Sequence, residues 1–437
     1  MSNSNFILMD VDFYPSSTKN LKLSNIVIGL IVALWLVAVV IEDIMTGDFY
    51  DEQVTFSKEI QKQNLDSTIN FFKAVWIFIP FVYQLYFLYA HTDIDAFAGM
   101  KMIIVVCTLI CTANMLAMLY SRPQVYWEHS DVHGWDCVLN WNVPSERSMV
   151  SIGCVYYFFT LKLFNCKRDK LWEKAIFIGV NLIWVLFVGF TEIYLGLNGI
   201  FDIILSWLYG LLVVVIFIYF DKWINKLIME IFIKMKPGLI FIHCAFMLGI
   251  AVGIILYEFR DAYMPDKWQK KVNSHCPDSL EISDSKDIAQ NNLKMVSTLS
   301  LSTGALLGMA FSYNKIKQKW WGSVSTWHSI IRLLASWIYF NILNMLIVII
   351  QNALPSTSSS VTDTLHITDL IRNAYIVLFY EIFIYYQMGW MLTYLYPMVM
   401  MVINSCTAET VPEEEKDPSV SMDVIDGAIN WTQPNSK

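Results

Sequence analysis

The chain predicts an all-α fold, a polytopic helical bundle within a membrane, and three observations carry that reading. Of its 437 residues, 56% are apolar and 15% aromatic, more than one soluble domain can bury. Its mean hydropathy is positive. Uninterrupted apolar runs of roughly 20 residues recur along it, the length that crosses about 30 Å of hydrocarbon.

Taken in order, the runs give about ten spans, near 25–45, 71–90, 99–120, 148–164, 174–191, 199–220, 238–257, 295–313, 329–354 and 372–403. The fourth and fifth are short and the tenth is long, so nine is the alternative count. The first run, Asn25 to Ile44, has no small-residue cleavage pattern after it and is expected to be a retained span. No lipidation or retrieval signal is evident. The polar tail, Thr407–Lys437, is expected to be disordered or loosely docked, and it holds much of the net charge of −8.

Short loops set the expected orientation. Lys167, Arg168, Lys170 and Lys174 follow the fourth span, Lys222, Lys226, Lys234 and Lys236 the sixth, and Lys315, Lys317 and Lys319 the eighth. All three clusters fall on one side, which the positive-inside rule assigns to the cytosol. Both termini are then cytosolic. Loops 121–147, 192–198, 258–294 and 355–371 face the lumen or exterior. The division expected is a cytosolic segment 1–24, a six-span core 25–220, a four-span extension 221–405 and an acidic tail 406–437.

Eight cysteines are spread without metal-ligand spacing. Cys107, Cys111, Cys154 and Cys244 fall within spans and read as small buried apolar residues. Cys137 and Cys276 are the pair outside the spans on the non-cytosolic side, and an oxidising compartment would let them form a disulfide.

Three loop fragments share the non-cytosolic face. Arg122-Pro123 follows the third span, Pro144-Ser145-Glu146-Arg147 opens the fourth, and Thr191-Glu192 through Asp202 joins the fifth to the sixth. Loops at the ends of packed helices can build one pocket, and a phosphate site needs such convergence of cations and N–H groups.

These fragments resemble the type-2 phosphatidic-acid phosphatase superfamily, whose pattern is K-x6-R-P, then P-S-G-H, then S-R-x5-H-x3-D. The likeness covers roughly residues 50–220 and implies a phosphatidic-acid-phosphatase-like core. A weaker likeness to the glucose-6-phosphatase and sphingosine-phosphate phosphatase branch continues through the Cys276 loop, STGALLGMAFS from Ser302, and Arg332. Position by position, the frame matches and the chemistry does not. The lysine of the first motif falls on Met115, while Arg122 and Pro123 match. In the second motif Pro144 and Ser145 match, glycine becomes Glu146 and the acid/base histidine becomes Arg147. In the third, serine becomes Thr191, arginine becomes Glu192, the nucleophilic histidine becomes Asn198, and Asp202 stays. Tyr194-Leu195-Gly196 is also a common filling.

Family enzymes are understood to form a phosphohistidine, which needs an imidazole nitrogen oriented by the aspartate. The amide nitrogen of Asn198 has a delocalised lone pair and is no nucleophile. Arg147 stays protonated and is a poor general acid. Glu192 puts a negative charge where a phosphate-binding arginine should stand. Two readings are open for it: a carboxylate plug lying between Arg122 and Arg147 in place of phosphate, or a solvated loop residue. Arg122, Ser145 and Arg147 remain the candidates for holding an anion.

His129 and His133, beside Asp131 and Asp136, are the alternative base candidates; ordinary loop histidines are the simpler reading. No metal or other cofactor is expected. Glu381 and Gln387 interrupt an apolar run, where a hydrogen bond to another helix is simpler than a transport path. Arg332 is expected to snorkel to the interface. The segment Asp51–Phe72 mixes charge with apolar residues and is expected beside the site as an interfacial helix.

The leading expectation is a catalytically degenerate phosphatase homologue, a binding, scaffold or regulatory protein of the endoplasmic reticulum or another endomembrane. The alternatives are an active phosphomonoesterase on lipid or sugar phosphates, and a channel or transporter. Expected partners are membrane lipids and other membrane protein subunits; no basic nucleic-acid patch exists.

Overall fold

The computed structural model describes residues 48–62, 66–90, 96–129, 131–141, 143–165, 171–221, 223–225, 227–228, 235–259, 264–275 and 285–315, with scattered positions in 29–40, 334–345 and 382–390. Among the described residues the chain is all-α. Its helices are α1 (Asp48–Gln61), α2 (Asp66–Tyr89), α3 (Ala96–Tyr120), α4 (Val125–Glu128), α5 (Glu146–Asn165), α6 (Leu171–Tyr194), α7 (Ile200–Tyr219), α8 (Met235–Phe259), α9 (Asp266–His275), α10 (Ser285–Asn292) and α11 (Lys294–Lys315). The second to eighth expected spans coincide with α2, α3, α5, α6, α7, α8 and α11. The first, ninth and tenth lie largely outside the described residues, as do Arg332, Glu381, Cys276 and the acidic tail.

Among the described residues, four helical stretches are long and apolar enough to cross a membrane: Ser67–Tyr89, Ala98–Glu128, Ala175–Tyr194 and Ile200–Tyr219. Their outer faces agree. On α6, Ile176, Val180, Ile183 and Leu186 recur at helical spacing and are all exposed. In water such a stripe would be an association surface; around a helix of this length it is matched by lipid chains.

Inside the bundle, α5 packs most extensively against α7, and α3 lies against both α5 and α11. The α5–α7 approach depends on Gly210. A Cβ there would stand 2.5 Å from the Met149 carbonyl oxygen and 2.7 Å from Ile152. Because α11 follows the core in sequence yet shares a long face with α3, the core and the extension share one interior. The end of the bundle away from the motifs is tied by a buried ion pair, Lys101 Nζ to Asp221 Oδ1 at 2.8 Å, with both side chains under 5% exposed. Asn225 donates to the other Asp221 oxygen at 2.9 Å. Such a pair is costly to break from one side only.

The Asp51–Phe72 segment divides between α1 and the start of α2. One face of α1 buries Val54, Ser57 and Gln61. Gln61 donates to the carbonyls of His133 (2.9 Å) and Tyr194 (3.0 Å) and accepts from the His133 N–H (2.9 Å). Lys58 pairs with Asp131 at 2.7 Å. Through these contacts α1 straps two of the motif-bearing loops together.

Candidate functional site

The third motif starts inside a helix. Residues Thr191–Tyr194 form the last turn of α6, and a tight turn over Leu195–Gly199 leads into α7. The turn closes through Leu197 N–H to Glu192 O (3.0 Å) and Gly196 N–H to Ile193 O (3.0 Å). Gly196 has φ +77°, which favours glycine, and an added Cβ would collide with the His133 carbonyl oxygen. That close approach docks the loop after the first motif. Val125, Tyr126 and Trp135 N–H groups donate to Leu197, Gly196 and Leu195 carbonyls at 3.3, 3.3 and 3.1 Å.

The second motif reaches the same place from α5. Its Ser145 N–H donates to Ser206 Oγ of α7 at 2.7 Å, and Ser206 in turn donates to the Asp202 carbonyl at 2.6 Å. Ser145 and Ser148, three apart at the start of α5, present their hydroxyls on one face. Both hydroxyls meet Glu192. Ser145 donates to Glu192 Oε1 at 2.6 Å, Ser148 to Oε2 at 2.8 Å, and Asn198 Nδ2 to Oε2 at 3.0 Å. All four residues are at most 1% exposed. A carboxylate has only acceptors to offer, and here both oxygens are met by donors.

Glu192 is therefore buried and not a solvated loop residue, and Arg147 is near enough to act on its charge. Among the described residues its hydrogen bonds go to two hydroxyls and one amide. The reason for Arg147's absence lies on α2. Pro80 sits inside that helix and has no N–H to give the Trp76 carbonyl four residues earlier. A helix within hydrocarbon cannot leave that carbonyl to water. Arg147 Nη1 donates to it at 2.7 Å, and the guanidinium carbon lies 3.3 Å from the centroid of the Trp76 ring. Tyr83 Oη, from the next turn of α2, donates to the Arg147 carbonyl at 3.0 Å. The residue at the acid/base position is thus bound to a neighbouring helix.

The other motif positions also have structural partners. Met115 packs against the core. Beside it, buried Asn114 donates to Glu146 Oε2 at 2.7 Å. Asp202 Oδ2 accepts from the Gly199 N–H at 3.0 Å and so caps α7. Among the described residues no hydrogen bond joins Asp202 to Asn198, whose amide goes to Glu192 instead. Arg122, the retained cation of the first motif, is near enough to Asp202 to act on its charge.

His129 closes α4 through its N–H to the Val125 carbonyl, 3.2 Å away. His133 is exposed, its ring 5.3 Å from that of Trp135, and the groups it offers Gln61 are main-chain ones. Among the described residues no three histidine, cysteine or acidic side chains gather as metal ligands. Cys137 is disulfide-bonded, while Cys276 lies outside the described residues. Cys107, Cys111, Cys154 and Cys244 are free; the first three are buried as expected, but Cys244 is exposed on the outer face of α8.

Sequence reasoning missed Ser148, Ser206 and Trp76. The i, i+3 spacing of Ser148 from Ser145 and the i, i+4 spacing of Ser206 from Asp202 were available signals. Pro80 within an apolar span was another, since it announces one carbonyl in need of a donor.

Residues 98–226 match the family model of the PAP2 superfamily. That stretch holds α3 to α7 and every motif position from Met115 to Asp202. No curated protein and no solved structure matches the chain. Among the described residues the protein is an all-helical membrane bundle, and it carries a stretch that matches the PAP2 superfamily.

Proposed function

We propose that the PAP2-type site of this chain is a catalytically degenerate one, filled by its own carboxylate, and that the protein serves as a binding, scaffold or regulatory component of its membrane. One observation carries this reading: Glu192 is held on both oxygens by Ser145, Ser148 and Asn198. A carboxylate and a phosphoryl group both present anionic oxygens to donors, so the glutamate fills the role the substrate has in the family's enzymes. The remaining chemistry agrees. Asn198 has no nucleophilic nitrogen, and the Arg147 guanidinium is spent on Trp76.

The motif resemblance favours the glucose-6-phosphatase and sphingosine-phosphate phosphatase branch as the ancestral source, with an endomembrane location such as the endoplasmic reticulum. The charge distribution favours a site on the lumenal side and cytosolic termini. Membrane lipids surround the bundle, and other membrane protein subunits are the partners this reading calls for.

Purified protein in lipid-containing detergent should hydrolyse phosphatidate, sphingosine phosphate and glucose 6-phosphate no faster than its Asn198→Ala variant. No phosphorylated side chain should be trapped on acid quench with a labelled substrate. Turnover that Asn198→Ala leaves intact but His129→Ala or His133→Ala abolishes would replace this reading with that of an active phosphatase.

A further inference from the structure

Helices α9 and α10 come from the chain's second half, yet their polar side chains reach the loop between the first two motifs. Lys267 Nζ donates to the Glu128 carbonyl at 3.1 Å, Lys271 Nζ to the His129 carbonyl, and Asn291 Nδ2 to the Leu139 carbonyl. His275 sets its ring 5.0 Å from that of Tyr126. Burial holds the Lys271 ammonium below its ordinary pKa, and neighbouring Lys267 adds to the shift.

The deepest contact is made by Asn292, only 1% exposed. It accepts from the Trp141 N–H at 3.1 Å and donates to the Trp141 carbonyl at 3.3 Å, pairing with that backbone as another peptide would. The same amide nitrogen donates to Asn114 Oδ1 at 3.1 Å, and Asn114 passes its own N–H to Glu146 at 2.7 Å. A buried relay therefore runs from the extension, through α3, to the position where the family pattern has glycine. Glycine has no acceptor to offer there; glutamate does.

We propose that α9 and α10 are a built-in hood, and that the partner this face of the PAP2-type segment takes is the chain's own second half, keyed by Asn292 to Asn114 and Glu146. The hood covers the loop leading to the Glu192 cradle and makes the segment a part of one structure, not a separable module. Glu146 then serves docking and not catalysis. This inference rests on the contacts of α9 and α10 and stands whether or not the site turns over substrate.

Hydrogen–deuterium exchange on the full-length protein in detergent, with mass-spectrometric readout, tests it. Asn292→Leu removes one end of the relay and Asn114→Leu its middle, without touching the lysines. Each should speed exchange in α10 and in residues 138–141 by about tenfold or more, with α7 unchanged. Wild-type rates in α10 of Asn114→Leu would overturn the relay, and equal acceleration in α7 would overturn a hood that opens by itself. Lys267 and Lys271 lie nearer the surface, so the double variant Lys267→Met, Lys271→Met tests the hood in a protein that keeps its buried contacts. Exchange in α9 should rise while α10 stays protected. An unchanged α9 would overturn the proposal even if both asparagine variants failed to fold.

Discussion

At position 192 a glutamate faces three donors, and its environment is built for acceptors. Ser148 can rotate its hydroxyl, but Asn198 must point its NH2 at the carboxylate. Replacing Glu192 by glutamine would set one amide N–H2 against these donors, and we expect a loss of about 1–3 kcal/mol. Glu192→Arg restores the family residue yet should do more damage, about 3 kcal/mol or more, because it buries an unpaired cation among donors. Thermal unfolding of the solubilised protein should rank wild type above Glu192→Gln and Glu192→Arg last. Wild-type stability in Glu192→Arg would show that the cradle does not hold the site together. The motif register drew attention to Glu192 and Asn198, and the structure places the two in hydrogen-bond contact. It did not supply their partners, since Ser145 and Ser148 come from 44 or more residues away.

Among the elements, α2 shows how one backbone defect governs a distant side chain. The Pro80 ring removes a helix hydrogen bond, the Trp76 carbonyl is freed, and Arg147 of α5 is drawn to it. A double-mutant cycle measures this coupling. Arg147→Met alone should cost about 1–3 kcal/mol, since it leaves a buried acceptor unmet. In the Pro80→Ala background the restored N–H can take over that acceptor, so the same Arg147→Met change should cost clearly less. Equal costs in both backgrounds would mean that the arginine acts through the Trp76 ring alone. Helix positions were legible from the apolar runs, to within a few residues at most ends. The end of α6 was placed too early, which put Glu192 in a loop. A polar Thr191-Glu192 pair looks like the close of a span, but here it is a buried last turn whose polar groups are met from α5 and α6 itself.

For the whole molecule, the helices expected as core and extension share an interior, in which α11 lies along α3 and Asn292 of α10 meets Asn114 of α3. A covalent link between the two parts is expected beside it. Cys137 is disulfide-bonded, and its neighbour Asp136 meets His275 through a backbone hydrogen bond. Cys276 follows His275 directly in sequence. Peptide mapping without reductant should recover the Cys137 peptide joined to that of Cys276; a free Cys276 thiol beside oxidised Cys137 would sink this pairing. By itself the sequence determined the all-α membrane character of the chain, because apolar length is a local quantity that packing does not alter. The tertiary structure decided where the motif side chains go: Glu192 onto Ser145, Ser148 and Asn198, Arg147 onto a proline-freed carbonyl, Glu146 toward Asn114. Each of those outcomes was set by which donor or acceptor a different helix left unmet at that depth of the bundle, a quantity that exists only once the helices are packed.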